Sequence, residues 1–273
     1  MSWNNKYSIP FADKSRRNLR ADCESCFGLC CVALYFSASE GFPIHKDAGQ
    51  PCPNLQPDFR CCVHKSLSER GLKGCTAFDC FGAGQKVSQV TYGGHDWRKI
   101  PESAKQMYEV FHIMRQIHEM VWYLTEALTL QPARPIHAAL SSMLDETKRL
   151  TRLSPDALLE LDVAVHRADV NTLLLKTSEL VRAEARRGQK KAHSGHRKTF
   201  GRGAYLIAAD LRGTDLSGTD FIGADFRDAD LRGADLTRSI FLTQAQINAA
   251  NGDNSTKLPS SLTRPTHWGN SKL

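Results

Sequence analysis

Nine cysteines lie between positions 23 and 80, and their spacing is typical of metal ligands. In the run CESCFGLCC, Cys23 and Cys26 are separated by two residues, which lets both thiols reach one ion from a tight turn. An adjacent pair, Cys30 and Cys31, follows directly, and Gly28 provides backbone freedom between the two pairs. The sequence therefore predicts a metal or iron–sulfur site in this segment.

The expected cellular compartment also favours metal ligands over disulfides. The first 20 residues lack the apolar core of a secretory signal, and no stretch approaches the roughly 18 to 20 apolar residues of a membrane span. We therefore expect a cytoplasmic protein that makes no membrane contact and whose thiols stay reduced. The odd number of cysteines also argues against complete pairing.

The order of the cysteines resembles that of the YkgJ-type cysteine-cluster family, which is associated with zinc or iron chelation. The opening CESCFGLCC, the segment GQPC, the segment RCCV and the closing CTAFDC carry the resemblance, within residues 21 to 85. It implies eight thiol ligands, which are Cys23, Cys26, Cys30, Cys31, Cys52, Cys61, Cys75 and Cys80. Cys62 is then an extra thiol, and His64 is an alternative ligand.

The identity of the metal is left open by the sequence. Eight thiolates could serve two four-ligand zinc sites, or one four-thiolate cluster such as 4Fe–4S together with a second iron or zinc site. The glycines of the GAG run after Cys80 are expected to let the backbone pass close to this site.

A second pattern occupies the C-terminal part of the chain, where a five-residue unit recurs eight times. From position 204 to 243 the frames are AYLIA, ADLRG, TDLSG, TDFIG, ADFRD, ADLRG, ADLTR and SIFLT. The central residue is always Leu or Phe, and Ala, Thr or Ser stands two positions before it. Large and small residues at this period suit a coil that turns a corner once per repeat, with the large residue on its axis.

This run resembles the pentapeptide-repeat family. The resemblance implies a right-handed quadrilateral β-helix with four repeats per coil, so that eight repeats form two coils about 10 Å tall. Such a short stack needs a cap, because repeats bury their core only against neighbours. Residues 242–250, anchored by Ile247, are predicted to form a capping helix, and Trp268 is predicted to pack back onto the body.

The middle of the chain has helical periodicity. Pro101 suits the first position of a helix. After it, apolar residues recur at spacings of three and four, at Met107, Val110, Met114, Ile117, Val121, Leu124 and Leu128. A second helix is predicted over 136–150, a third after the N-cap Ser154, and a fourth capped by Asp169. We therefore predict a three- or four-helix bundle, or a dimerising helical arm.

The net charge of +7 is concentrated in one segment. Between positions 182 and 202, eight basic residues stand against Glu184 alone, and the rest of the chain is close to neutral. Because this segment is rich in glycine and poor in apolar residues, it is predicted to be a flexible linker. Its charge could bind nucleic acid weakly, with an affinity that falls steeply with salt.

These features predict a multi-part fold. Its parts are an N-terminal arm (1–20), a Cys-rich metal-bound module (21–95), an α-helical bundle (101–187), a basic linker (188–203), a short right-handed quadrilateral β-helix (204–243), and a C-terminal cap and tail (244–273).

The predicted function is a cytoplasmic adaptor that binds zinc or an iron–sulfur cluster and presents a repeat surface for docking. The alternative is a metal- or cluster-dependent enzyme that modifies a peptide or protein side chain, since there are more thiols than one structural site needs. No catalytic residues can be identified from the sequence. We expect a protein partner or peptide substrate, and a homodimer formed through the helical segment.

Overall fold

The computed structural model describes residues 16–188 and 201–269, with the backbone alone for 186–188. Most of the predicted N-terminal arm, the linker from 189 to 200 and the last four residues lie outside this part of the chain. The described residues fall into two compact units. The first contains the residues up to 33, Leu55–Arg60 and Cys80–Leu174, and the second contains Leu34–Asn54, Cys61–Asp79 and the residues from 175 onwards.

The helices differ greatly in length. The α-helices of the described residues are α1 (Leu29–Ala33), α2 (Lys73–Ala77), α3 (Ala83–Gln85), α4 (Pro101–Ala127), α5 (His137–Leu150), α6 (Pro155–Leu159), α7 (Val163–Gly188) and α8 (Gln244–Ala249). A π-helix spans Lys86–Thr91, and short 3-10 helices span Arg17–Leu19, Cys23–Ser25, Ala38–Glu40, His64–Ser66, Gln131–Ile136 and Thr266–Gly269.

Helix α4 is the centre of the first unit. It begins at Pro101, as predicted, and it packs against α1, α3, α5, α6 and the π-helix. The predicted apolar seam is buried from Met107 to Leu124, whereas Leu128 is partly exposed. Because other helices of the same chain cover this seam, its apolar residues are not a free surface for a dimer.

The later helices agree only in part with the prediction. Ser154 caps α6 as expected, since its side chain accepts a hydrogen bond from the Ala157 amide. The predicted boundary at Asp169 is wrong, because α7 already begins at Val163. The Asp162 carboxylate accepts hydrogen bonds from the Ala164 and Val165 amides, which places the start of the helix seven residues earlier.

The repeats form a coil in the second unit. Parallel bridges join Tyr205 to Asp225, Asp210 to Asp230, and Asp215 to Asp235, so one coil takes 20 residues, or four repeats. The eight central residues are all buried, as predicted, at positions 206, 211, 216, 221, 226, 231, 236 and 241. All of them except Phe241 belong to the hydrophobic core cluster of the second unit.

The prediction of a right-handed quadrilateral β-helix is corrected by this structure. The part of the chain described contains no β-strand and no sheet; its coils are joined by isolated bridges of one residue each. Each pentapeptide has one residue in a bridge and two in a turn. No run of consecutive residues therefore pairs with the neighbouring coil as a ladder. The predicted fold class, which included a β-helix at the C-terminal end, is therefore wrong for this chain.

A partial third coil and a helix close the stack. Asn251 bridges to Asp230 and Lys257 bridges to Asp235, which continues the pairing beyond the eighth repeat. The predicted capping helix is present as α8, begins with a capping box formed by Thr243 and Gln246, and buries Ile247. Trp268 packs back onto the body as predicted.

Candidate functional site

The two units divide the nine cysteines between them. Cys23, Cys26, Cys30, Cys31 and Cys80 belong to the first unit, and Cys52, Cys61, Cys62 and Cys75 belong to the second. Among residues 16–188 and 201–269, no group of three or more His, Cys, Asp or Glu side chains is arranged to hold a metal ion. The metal site therefore stays a prediction at this point.

The adjacent thiols Cys30 and Cys31 lie close together in the first unit. Their sulfur atoms are 4.0 Å apart. Two thiolates bound to one tetrahedral zinc ion at about 2.3 Å would be about 3.8 Å apart. The separation of this pair therefore suits shared ligation.

A short turn presents Cys26. Asp22 caps the 3-10 helix Cys23–Ser25 by accepting hydrogen bonds from the Glu24 amide (3.1 Å) and the Ser25 hydroxyl (2.7 Å). The hydrogen bond from Ser25 lowers the pKa of Asp22, so this cap stays charged. After Cys26, Gly28 takes a φ of +66°, which suits glycine and reverses the chain into α1.

The environment of Cys26 contains opposing influences. Burial raises the pKa of its thiol to about 11, and the nearby Cys30 acts in the same direction. The Leu29 and Gly28 amides and the Ser88 side chain favour the thiolate through hydrogen bonds to the sulfur. Without a cation the thiol is protonated at neutral pH, whereas a bound metal ion would deprotonate it. These donors would also favour a metal-bound thiolate at this sulfur, which is partly exposed.

A segment of the first unit between positions 82 and 97 holds this turn in place. The Gln85 side chain accepts from the Asp22 amide (3.2 Å), and the Gln89 side chain donates to the Ser25 carbonyl (2.8 Å). The Trp97 indole donates to the Phe27 carbonyl (2.9 Å). The backbone around Cys26 is therefore fixed before any ligand binds.

Gly84 passes very close to the sulfur. A Cβ atom at this position would lie 2.6 Å from Cys26 Sγ, closer than side chains normally approach. Gly84 of the GAG run therefore lets the backbone pass close to Cys26, and its closeness to a metal site stays a prediction.

A second clamp holds the loop Leu55–Arg60, which precedes Cys61 in the sequence. The Arg98 guanidinium lies 4.3 Å from the centre of the Phe59 ring and donates to the Pro57 carbonyl (2.7 Å). Phe59 packs edge-on against Trp97. Sequence reasoning missed Ser88, Trp97 and Arg98, although a Trp-Arg pair in a polar loop is a signal that could have drawn attention to two of them.

The alternative ligand His64 and the extra thiol Cys62 lie at the surface, whereas two histidines of α4 contact backbone carbonyls. His64 is exposed on a 3-10 helix, and the extra thiol Cys62 is exposed with its sulfur 3.8 Å from the Asn54 side chain. On α4, His112 contacts the Ala33 carbonyl (3.2 Å), and the buried His118 contacts the Phe81 carbonyl (2.8 Å). These last two histidines bind backbone carbonyls next to the cysteine segments.

In the second unit, the repeat coil carries the cysteine segment that belongs to that unit. Lys73, on the helix that contains Cys75, forms a 2.9 Å ion pair with Asp228, and Arg227 donates to the Glu40 carbonyl at 2.8 Å. Helix α2 also packs against α8. The coil therefore serves as an internal support for residues 34–54 and 61–79.

Other surfaces of the coil carry paired charges. Arg212 pairs with Asp210 at 2.7 Å, and Arg232 pairs with Asp230 at 2.6 Å. The hydrogen bond from Arg212 lowers the pKa of Asp210 below its usual range. Because these acids are compensated, this surface lacks the strong negative field that a mimic of nucleic acid would need.

Comparison with known proteins finds a family model and a relative that match the chain. The family model "Pentapeptide repeats" matches residues 202–241 with eight copies. The "Uncharacterized protein YybG" of Bacillus subtilis strain 168 is 57% identical over 280 residues, which cover 95% of this chain and 98% of that protein. No solved structure matches the chain. Among the described residues, no helix has both the length and the apolar character needed to cross a membrane.

Proposed function

The chain belongs to the family of the Bacillus subtilis protein YybG, and we propose that this pentapeptide-repeat protein is a metal-binding interaction protein. Its cysteine segment binds zinc or an iron–sulfur cluster, and its repeat coil supports part of that segment and presents a surface to a protein partner.

The environment of Cys26 is the observation that carries the proposal. Burial opposes the thiolate, yet two amides and a hydroxyl are directed at the sulfur. Donors in this arrangement stabilise negative charge on a sulfur, and hydrogen bonds of this kind surround metal-bound thiolates. A cation would supply the remaining stabilisation, since a coordinating thiol loses its proton.

The eight thiols predicted as ligands would hold the metal, and Cys62 would not. When bound, zinc or a cluster neutralises thiolate charge and cross-links the segments that bear them. Two zinc sites and one cluster with a second site both agree with this number of thiols. The residues around Cys26 would orient the sulfur, which is partly exposed.

The interaction role rests on the repeat coil. Arg212, its partner Asp210 and Arg232 are exposed, and Asp230 is half-buried, so these ion pairs give the coil a polar surface. Such a surface suits a protein partner that binds through hydrogen bonds and paired charges. Nine closely spaced cysteines, eight of them proposed as metal ligands, also suit the cytoplasm, where thiols stay reduced.

Anaerobic purification followed by metal analysis tests this function. We expect stoichiometric metal in the wild-type protein, loss of at least half of it in Cys26→Ser, and full retention in Cys62→Ser. The Cys62 variant is the matched control because it removes one exposed thiol from the same segment. A folded wild-type protein that contains no metal would refute the proposal.

A further inference from the structure

Helix α1 carries two consecutive thiols, Cys30 and Cys31, whose side chains touch. Their sulfur atoms are 4.0 Å apart, which is within hydrogen-bonding distance for two thiols and too long for a disulfide bond. Cys30 is half-buried, whereas only 9% of Cys31 is exposed. A small oxidant in solution therefore reaches Cys30 more easily than Cys31.

We propose that Cys30 and Cys31 are a site of reversible oxidation, at which a peroxide converts the two thiols to a disulfide between neighbouring residues and thereby opens α1. This inference goes beyond the metal-binding function and does not rest on it. In a reducing compartment, the disulfides that do form are usually transient and redox-sensing, which is the role that this pair would have.

The oxidation needs a peroxide as its only co-reactant. The Cys30 thiol gives up its proton, and its sulfur attacks one oxygen of hydrogen peroxide. The O–O bond breaks, Cys30 becomes a sulfenic acid, and the departing hydroxide takes up the proton to form water. The Cys31 sulfur then attacks the Cys30 sulfur, so that the S–S bond forms, the S–O bond breaks and a second water leaves. Two electrons and two protons pass in total from the two thiols to the peroxide.

The helical backbone makes such a disulfide strained. Consecutive side chains of an α-helix point about 100° apart around its axis. Consecutive Cα atoms are about 3.8 Å apart, closer than the roughly 4.4 to 6.8 Å that disulfides usually span. An S–S bond between these neighbours therefore forces the backbone out of the helical conformation. Because strained disulfides are easily reduced, a thiol reductant of the glutathione class would restore the pair.

Opening of α1 would disturb its contacts within the first unit. The Cys31 amide donates to the Gly28 carbonyl at 2.8 Å, and this hydrogen bond belongs to the turn that would open. Val32 and Ala33 are at most 1% exposed, and α1 packs against α4. The Ala33 carbonyl also contacts the His112 ring of α4 at 3.2 Å. Oxidation of the pair would therefore be transmitted from α1 to the long helix of this unit.

Peroxide treatment of the full-length protein, reduced beforehand and freed of reductant, tests the inference. Peptide mass spectrometry should find the peptide that contains Cys30 and Cys31 lighter by two hydrogen atoms, and a thiol reductant should reverse this loss. Amide hydrogen exchange should become faster in α1 and in α4 around His112. Cys62→Ser is the matched control, because it removes an exposed thiol outside the pair and should leave the disulfide unchanged.

Two further variants test the order of the two steps. In Cys31→Ser, the sulfenic acid on Cys30 lacks its neighbouring thiol, so we expect dimedone to label Cys30 after peroxide treatment. In Cys30→Ser, the remaining sulfur of the pair is buried, so we expect much weaker labelling of Cys31. Equal labelling in the two variants would contradict the assignment of Cys30 as the residue that is attacked first.

The outcomes separate this inference from the proposed function. A wild-type protein in which the pair stays reduced while other cysteines oxidise would refute the inference, whether or not the protein contains metal. Disulfides that join Cys30 or Cys31 to cysteines elsewhere in the chain would also refute it. A disulfide within the pair that leaves hydrogen exchange in α1 unchanged would refute the opening of the helix. Metal content is measured separately on the same sample, so a protein without metal would refute the metal-binding function and leave this test intact.

Discussion

At the scale of single residues, the surroundings of Cys26 are more specific than its place in a cysteine pattern. Spacing alone predicts that Cys23 and Cys26 can share an ion, but it does not reveal how exposed each sulfur is or which groups donate to it. The Gly28 and Leu29 amides are close in sequence, whereas Ser88 and the close approach of Gly84 come from more than 50 positions away. Sequence reasoning could therefore propose ligands, but it could not find the groups that surround them.

Gly84→Ala should disturb the cysteine turn. Its Cβ atom would approach Cys26 Sγ to 2.6 Å, so either the backbone or the sulfur must move. Overpacking of this kind costs about 1–3 kcal/mol. We expect urea denaturation to show a loss of this size together with reduced metal content.

Gly269→Ala is the matched control, because a Cβ atom there meets no atom within 4 Å. Equal stability and equal metal content in the two alanine variants would contradict the close approach of Gly84 to Cys26.

His118 should make stability depend on pH. Burial lowers its pKa to about 4, and the nearby Lys86 acts in the same direction. Between about pH 6.5 and pH 4 the unfolded chain binds the proton while the folded chain does not, so stability is full above this window and falls as the pH decreases through it. The loss is on the order of 3 kcal/mol.

Chemical denaturation of the wild type and of His118→Gln, at several pH values in this window, measures the effect. The Gln variant should lose less stability than the wild type as the pH falls. Parallel pH profiles would show that His118 does not titrate as its burial requires.

At the scale of elements, the prediction was correct where one sequence period determines one element. The helix that begins at Pro101 and the buried centre of each pentapeptide both follow from one period and one apolar face. The expected β-helix was wrong because the period specifies where the chain turns, and it does not provide enough consecutive paired residues for a strand. The start of α7 was misplaced because two aspartates, Asp162 and Asp169, both suit a helix cap.

The cap of the repeat coil should contribute strongly to the stability of the second unit. Trp268 is 2% exposed, packs against Gly252 and donates to the Ala250 carbonyl at 2.9 Å. Trp268→Ala should cost about 3–5 kcal/mol in urea denaturation, because it leaves a large cavity over the last coil. Tyr205→Ala is the control. Tyr205 is an aromatic residue of the first repeat and is 80% exposed, so its loss should change stability by less than about 0.5 kcal/mol. Similar losses in both variants would refute the capping role.

At the scale of the whole molecule, the two units are built from segments that alternate along the chain. Boundaries between units fall after Ala33, Asn54, Arg60, Asp79 and Leu174. Changes in composition along the sequence indicate only contiguous segments. They do not indicate that the chain returns to the same unit several times. The clamp of Arg98 on the loop at 55–60 is one physical cause of such a return.

An isolated fragment of residues 21–95 should therefore fail to hold metal. It lacks α4, whose His112 contacts the Ala33 carbonyl in the first unit, and it lacks Asp228, which pairs with Lys73 in the second. We expect circular dichroism to show an unfolded fragment and metal analysis to show less than a tenth of the full-length content. A folded, metal-loaded fragment would show that the cysteine segment needs neither support.

The central claim is that the cysteine segment is a metal centre, and X-ray absorption at the metal edge of the anaerobically purified full-length protein tests it most directly. The account predicts zinc or iron with a first shell of sulfur at about 2.3 Å. A shell made mainly of nitrogen and oxygen, or a folded protein without zinc or iron, would contradict it.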